Sequence, residues 1–136
     1  MSLSTEDKME ILELCARYNW AIDGGDPEAW VNTFTEDGVF DSQGFYQTAR
    51  GTQELRALVA LMIGQRRPGG RLGRHWNCNH VIEGDGDMAK HRCYLVTIGV
   101  EGDAHPTMGA MGTCHDTVRK VDGQWKFAHR EVGPDR

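Results

Sequence analysis

Residues 17–40, RYNWAIDGGDPEAWVNTFTEDGVF, hold the end of one helix, the start of a second helix and the start of a strand. Gly24-Gly25 ends the first helical pattern, because glycine readily adopts the left-handed conformation that terminates helices. Asp26-Pro27 is a helix cap followed by a first-turn proline, which predicts a short second helix over 27–34. Asp37-Gly38 then turns the chain into a strand. This segment predicts a layer of helices that leads into a sheet.

The remaining elements extend this order in both directions. Upstream, Ser4 or Thr5 can cap a first helix whose apolar residues recur at helical spacing up to Ile22. Downstream, short strands are predicted at 39–41 and 45–48, and Thr52 can cap a third helix over 53–63. Longer strand patterns follow at 75–83, 88–101, 108–122 and 124–132. Helices followed by antiparallel strands predict an α+β fold, with a cavity between the helices and a curved sheet.

The size and charge of the chain limit its function classes. At 136 residues it has the length of one domain, which we expect to span 1–136. Its net charge of −5 opposes binding to a phosphate backbone, so we expect no nucleic-acid partner. The basic cluster between Arg66 and Arg74 is interpreted as a solvated loop, with contact to an anionic substrate as the alternative.

The sequence has no apolar run of the roughly 18–20 residues that a membrane span needs, and its first residues lack a signal-peptide profile. We therefore expect a cytoplasmic protein without a membrane partner. The cysteines at positions 15, 78, 93 and 114 are too scattered for a disulfide framework. We expect reduced, buried thiols.

Three polar residues are candidates for catalysis. Asp23 lies in the last turn of the first helix, where the helix dipole disfavours a carboxylate by roughly 0.3–1 kcal/mol, so it needs a partner. His75 opens the first long strand near the rim of the sheet, and Tyr18 precedes Asp23 at the same helix end. From the residues alone, each also has a structural interpretation: a surface carboxylate, a hydrogen-bonded core histidine and a core tyrosine.

Cysteine and histidine alternate in Cys78-x-His80, His91-x-Cys93 and Cys114-His115, so neighbouring strands could bring several ligands together. The spacings usual for zinc, Cys-x-x-Cys or His-x-x-x-His, are absent. We therefore interpret these residues as small buried side chains and expect no metal site. Dinucleotide, phosphate-loop and serine-hydrolase motifs are also absent, so no cofactor is expected.

Alternation along the predicted strand 75–83 divides its side chains between two faces. The set expected to face the pocket is mostly polar: His75, Asn77, Asn79 and Val81. The opposite set would form an outer apolar patch: Trp76, Cys78, His80 and Ile82. Such patches usually mark an interface, so we expect a homodimer, with a trimer as the alternative.

Several segments together resemble the SnoaL-like family of the nuclear-transport-factor-2-like superfamily. They are 17–26, 34–40, Arg50-Gly51, His75 with Asn79, 85–89, and 121–127 leading to Arg130. The resemblance covers about residues 5–132. It implies a cone-shaped α+β barrel, in which three amino-terminal helices pack on a strongly curved antiparallel or mixed sheet around a mostly apolar pocket.

The resemblance also implies a site. Bile-acid dehydratase, scytalone dehydratase and a dehydrochlorinase of this family pair a pocket histidine with an aspartate. Tyr18, Asp23 and His75 match the tyrosine, aspartate and histidine of the bile-acid enzyme. The chain departs from the scytalone enzyme at position 93, a cysteine near the place where that enzyme has a second histidine.

Two hypotheses from different classes follow. In the first, the chain is a cofactor-independent lyase or isomerase: Asp23 fixes the tautomer of His75, His75 removes a proton, and Tyr18 donates a hydrogen bond to the departing or developing oxygen. In the second, it is a noncatalytic binding or assembly module on the same fold. An epoxide hydrolase with Asn79 and Asp116 positioning water ranks lower. A contact between Asp23 and His75 distinguishes the first hypothesis from the second.

The expected partner is a small hydrophobic molecule of steroid, polyketide or terpenoid type. The residues expected to contact it are Trp20, Phe40, Leu58, Asn79, Cys114, Asp116 and Arg130.

Overall fold

The structure, a computed structural model, describes residues 2–65, 72–102 and 104–134. Its three helices are α1 (Thr5–Gly24), α2 (Pro27–Val31) and α3 (Gly51–Gly64). Ser4 caps α1 through reciprocal hydrogen bonds with Asp7, and Gly25 ends α1 with a φ of 73°. Among the described residues, no helix has the length and apolar character needed to cross a membrane. Positions 66–71, which hold most of the predicted basic loop, lie outside the described residues.

Six strands form one sheet: β1 (Phe34–Asp41), β2 (Ala49–Arg50), β3 (Leu72–Asp85), β4 (Met88–Val100), β5 (Thr107–Val121) and β6 (Gln124–Pro134). Their spatial order is β2-β1-β6-β5-β4-β3. Strands β1 and β6 run parallel, and the other neighbouring strands run antiparallel. The sheet is curved but not closed. The predicted α+β fold with a mixed sheet is confirmed.

The core between the helices and the sheet is centred on aromatic side chains. Neighbouring rings among Tyr18, Trp30, Phe34, Phe40 and Phe127 have centroids 4.9–6.5 Å apart. Such pairs contribute about 0.5–1.5 kcal/mol each beyond the burial of their area. The cluster holds α1 and α2 against β1 and β6. It therefore positions the end of α1 over the sheet.

Several elements and their boundaries differ from the predictions. Phe34 begins β1 instead of ending α2, because its backbone pairs in parallel with Phe127 of β6. The strand predicted over 45–48 is absent, and only Ala49–Arg50 pairs with β1. The predicted cap residue Thr52 lies inside α3, where its hydroxyl donates to the Glu36 carbonyl at 3.4 Å. In each case, contacts with distant segments outweigh the local signal.

A β-bulge interrupts the pairing of β3 with β4. Cys78 pairs with Tyr94 and Val81 with Arg92, so β3 carries one more residue than β4 across this interval. Asn79 in the bulge has a φ of 57°, in the left-handed region that asparagine tolerates better than most residues. Cys78 itself is exposed, so the prediction that all four thiols are buried is wrong at this position.

Side chains before the bulge follow the predicted alternation, and those after it do not. His75 and Asn77 both contact α1, as expected for the pocket face. His80, predicted on the outer face, contacts the buried His91, whereas Asn79 is exposed. One extra residue inverts a pattern of period two, which is why the predicted faces are wrong from Asn79 onward.

Candidate functional site

The end of α1 meets the start of β3 through a carboxylate–imidazole pair. Asp23 Oδ1 lies 2.5 Å from His75 Nδ1, and Asp23 Oδ2 accepts a hydrogen bond from the His75 backbone N–H at 3.0 Å. Because a carboxylate only accepts hydrogen bonds, Nδ1 carries the proton and Nε2 is the basic nitrogen. The Asp23 side chain is mostly buried, while His75 is one-third exposed and accessible to a ligand. The predicted contact is present.

His75 borders a cavity of about 410 Å³. The walls are mainly apolar and include Ile22 from α1, Met62 from α3, Leu95 from β4 and Val132 from β6. A cavity of this size and character suits a small organic ligand with few polar groups. A larger groove of about 720 Å³, lined by parts of α1 and α2, does not contain His75. The smaller cavity is therefore the candidate site.

Several polar side chains line this apolar cavity besides His75, among them Tyr18, Cys114 and Arg130. The Arg130 guanidinium is 1% exposed and lies 4.3 Å from the centre of the Tyr18 ring. Burial raises the pKa of Tyr18 above its usual range, so the hydroxyl stays protonated and can donate a hydrogen bond. Arg130 Nε and Nη1 are buried and make no hydrogen bond among the described residues, although Nε lies 3.5 Å from Asp116 Oδ1.

Arg130 is the last of three charged groups in a row across β4, β5 and β6. His91 is the cross-strand partner of Asp116, and Asp116 is that of Arg130. Asp116 Oδ2 lies 2.7 Å from His91 Nδ1, and Oδ1 lies 3.5 Å from Arg130 Nε. Burial opposes protonation of His91, but hydrogen bonds with Asp116 and Cys15 outweigh it and raise the pKa of His91 to about 9. Asp116 therefore holds both neighbouring side chains in place.

Amides and thiols complete the polar part of the interior. Asn19 Nδ2 donates to Asn77 Oδ1 at 2.7 Å, and Asn77 Nδ2 lies 3.9 Å from Cys114 Sγ. Cys93 is the cross-strand partner of Cys114. A hydrogen bond from Cys93 lowers the pKa of Cys114 to about 6, and the charge of Arg130 also lowers it, although burial opposes this shift. The same hydrogen bond raises the pKa of Cys93. The sequence analysis did not identify Asn19. The feature that could have identified it is an amide side chain beside the apolar face of α1.

The structure separates the residues that were predicted to contact substrate. The cavity is lined by three of them: Phe40, Cys114 and Arg130. Four others do not line it: Trp20, Leu58, Asn79 and Asp116. Trp20 instead lines a smaller pocket of about 250 Å³ that also contains Asp23 and His75.

Each of these four corrections has a physical reason. Trp20 is 80% exposed because it lies about 200° around α1 from the cavity-lining Tyr18. Leu58 is buried in the hydrophobic core under α3. Asn79 is turned outward by the bulge, and Asp116 is buried between its two cross-strand partners. The epoxide hydrolase hypothesis therefore loses both groups that were expected to position water.

Comparison with known proteins decides the family. Residues 4–131 match the family model of the SnoaL-like domain. The chain belongs to this family. Members of the wider nuclear-transport-factor-2-like superfamily are among its structural neighbours. No curated protein matches this SnoaL-like chain significantly.

Solved structures support the same assignment. A protein of unknown function with a cystatin-like fold from Nostoc punctiforme is 31% identical to this SnoaL-like chain, with a TM-score of 0.86 over 99% of this chain and 96% of that one. A Novosphingobium aromaticivorans protein provisionally designated a scytalone dehydratase is 26% identical, with a TM-score of 0.79 over 96% and 85%. ActVI-ORFA from Streptomyces coelicolor shares the fold at 23% identity, with a TM-score of 0.86 over 96% and 98%.

Proposed function

We propose that this SnoaL-like protein is a cofactor-independent lyase or isomerase that removes a proton from a small hydrophobic molecule. The observation that carries the proposal is the pairing of Asp23 with His75, whose side chain borders an apolar cavity. Proton abstraction needs a base with a fixed tautomer within reach of the ligand. A module that only binds a ligand has no need for one.

In the proposed reaction, His75 Nε2 accepts a proton from a carbon next to an activating group such as a carbonyl. For a lyase, the C–H electron pair forms a new double bond while the C–O bond to a hydroxyl breaks. The departing hydroxide takes the proton from Nε2 and leaves as water, which restores neutral His75. For an isomerase, Nε2 returns the proton to a different carbon. In both cases Asp23 stabilises the imidazolium that forms.

Tyr18 and Arg130 are the donors placed to stabilise oxygen. Both line the cavity, and both are buried, so hydrogen bonds to a developing oxyanion would form away from bulk water. Removing one such donor typically lowers turnover about 10²–10³-fold. Tyr18 suits the neutral donor role because burial keeps its hydroxyl protonated.

The substrate class follows from the cavity walls. A mostly apolar cavity with a few polar groups on one side suits a fused or substituted ring carrying one or two oxygens, as in a steroid, a polyketide or a terpenoid. The similarity to a protein provisionally designated a scytalone dehydratase supports the polyketide type within this class.

Mass spectrometry of hydroxy-steroids, phenolic polyketides and terpenoids incubated with the protein in deuterated water tests the proposal. Loss of water identifies a lyase, and a chromatographically distinct product with the formula of the substrate identifies an isomerase, whether or not it carries deuterium. His75→Ala should abolish either change. His115→Ala, which alters an exposed histidine of β5, should leave it intact. A compound that raises the melting temperature of the wild type but is never converted would indicate a binding module instead.

A further inference from the structure

A cluster of metal-binding side-chain types lies inside the fold, apart from the Asp23–His75 pair. Cys15 of α1, His80 of β3 and His91 of β4 each offer one ligand atom, and these atoms all lie within 4.8 Å of one another. We propose that the three residues bind Zn²⁺. The site is independent of the proposed function, since none of the three lines the cavity that contains His75.

The distances from His91 Nε2 to the other two ligand atoms are within about 0.6 Å of those in a tetrahedral zinc centre. Zn–S and Zn–N bonds of about 2.3 Å and 2.1 Å place a sulfur and a nitrogen ~3.6 Å apart and two nitrogens ~3.4 Å apart. Cys15 Sγ lies 3.8 Å from His91 Nε2, and His80 Nδ1 lies 2.8 Å from the same nitrogen. Zn²⁺ would replace the hydrogen bond between the imidazoles, which need to separate by about 0.6 Å.

Asp116 prepares His91 to act as a ligand. Its Oδ2 lies 2.7 Å from His91 Nδ1, so this nitrogen donates to the carboxylate, and Nε2, which lies 2.8 Å from His80 Nδ1, is the nitrogen that would bind a metal. A carboxylate behind a ligating imidazole is a usual feature of zinc sites, because it fixes the ring orientation and raises the basicity of the ligand. Both side chains are fully buried, which keeps this arrangement away from solvent.

The bulge in β3 brings His80 into the cluster. Without the extra residue, His80 would lie on the outer face with Trp76 and Cys78. Bulges often redirect a side chain at a functional site. The bulge turns the His80 imidazole inward, towards a second imidazole and a thiol. Apolar side chains would fill the same space at a lower desolvation cost than these polar groups. This arrangement therefore favours a ligand-binding role over simple core filling.

The donor set selects the class of metal. One thiolate and two imidazoles are borderline-soft ligands that suit Zn²⁺ and disfavour Mg²⁺ or Ca²⁺. Three protein ligands leave one tetrahedral position for water or another small ligand. A search for zinc-binding motifs in the sequence could not reveal this site, because its ligands come from three separate elements.

Cobalt substitution tests the site in the full chain. The metal-free protein is titrated with Co²⁺ without oxygen, and Zn²⁺ is added afterwards. One equivalent of Co²⁺ should produce a near-ultraviolet thiolate-to-cobalt charge-transfer band and the visible bands of tetrahedral cobalt. Zn²⁺ should displace it and raise the melting temperature. Cys15→Ser should remove the charge-transfer band, and His80→Ala should weaken Co²⁺ binding by more than the roughly 10–100-fold expected for loss of an outer-shell partner.

Matched controls come from exposed residues of the same types. Cys78→Ser and His115→Ala lie outside the cluster and should bind Co²⁺ as the wild type does. The half-exposed position of His80 allows its replacement without opening the core, and circular dichroism of His80→Ala checks that the chain is folded. A wild type without the charge-transfer band, or a band that survives Cys15→Ser, would overturn the proposal. The cluster would then be a hydrogen-bonded core network.

Discussion

Asparagine in place of Asp116 should destabilise the protein by about 3–5 kcal/mol, because it removes the buried carboxylate that pairs with both Arg130 and His91. The substitution keeps the shape of the side chain and one acceptor oxygen, and removes the negative charge. The two side chains are 0% and 1% exposed, and their closest charged atoms lie 3.5 Å apart. At this distance Coulomb's law with an effective dielectric constant of about 20 gives about 5 kcal/mol, in agreement with that range.

Asp37 provides a matched control. It pairs with Arg119 at the shorter distance of 2.9 Å, but these side chains are 74% and 39% exposed. Exposed ion pairs contribute only about 0.2–1 kcal/mol, because water and salt screen them. Asp37→Asn should therefore cost less than about 1 kcal/mol. The comparison tests whether burial, rather than distance, decides the strength of the pair.

Thermal unfolding of the wild type and both variants measures the difference. For a chain of this length, 1 kcal/mol corresponds to about 3–4 °C in Tm, so Asp116→Asn should melt about 10–17 °C below the wild type. Asp37→Asn should stay within about 4 °C of it. Adding Arg130→Met to Asp116→Asn should recover part of the loss, because it removes the unpaired charge. Equal decreases for the two asparagine variants would refute the reasoning.

Asp23→Asn should lower turnover on an identified substrate by about 10²–10⁴-fold, because the tautomer and the orientation of His75 are then no longer fixed. Steady-state kinetics on the soluble variant measures this loss, and an unchanged rate would argue for a binding module. Hydrogen bonds from the Trp125 indole, Ser4 and Lys120 hold the pKa of Asp7 well below its usual value near ~4. The stabilising contribution of Asp7 is therefore present above about pH 4 and lost as the pH falls below it. In urea titrations, the unfolding free energy of Asp7→Asn should therefore decrease less than that of the wild type between about pH 5 and pH 2. Trp76 is 60% exposed on the outer sheet face, and we propose that a second copy of the chain covers it. Light scattering at micromolar concentration should give the dimer mass for the wild type and the monomer mass for Trp76→Lys, and a monomeric wild type would contradict the proposal.

Local signals predicted much of the fold. The capping residue Ser4 and the glycines after position 23 mark the ends of α1 without any knowledge of the rest of the chain. The turns at Gly86 and Gly123 mark the hairpins in the same way. Elements that depend on partners distant in sequence were harder to predict from local patterns. Phe34 is a strand residue because β6 lies beside it, and no local pattern records that pairing.

The site shows the same division. The unfavourable position of Asp23 at a helix end and the resemblance of His75 to a family histidine predicted their contact. The row of His91, Asp116 and Arg130 depends on the register of three strands, which the spacing of these residues along the chain does not specify. The inward turn of His80 depends on a single extra residue in β3. Alternation alone therefore placed it on the wrong face.

Asp23 also occupies a backbone group at the edge of the sheet, where uncontrolled strand pairing between chains can begin. Strand β3 is an edge of the sheet, and unpaired backbone groups on an edge recruit strands from other chains. The His75 N–H is one such group, and an oxygen of Asp23 occupies it. One oxygen of the Asp23 carboxylate thus serves the proposed chemistry, and the other covers a backbone group of the strand edge. Aggregation of an Asp23 variant during expression would follow from an opened strand edge, even when its core is packed as in the wild type.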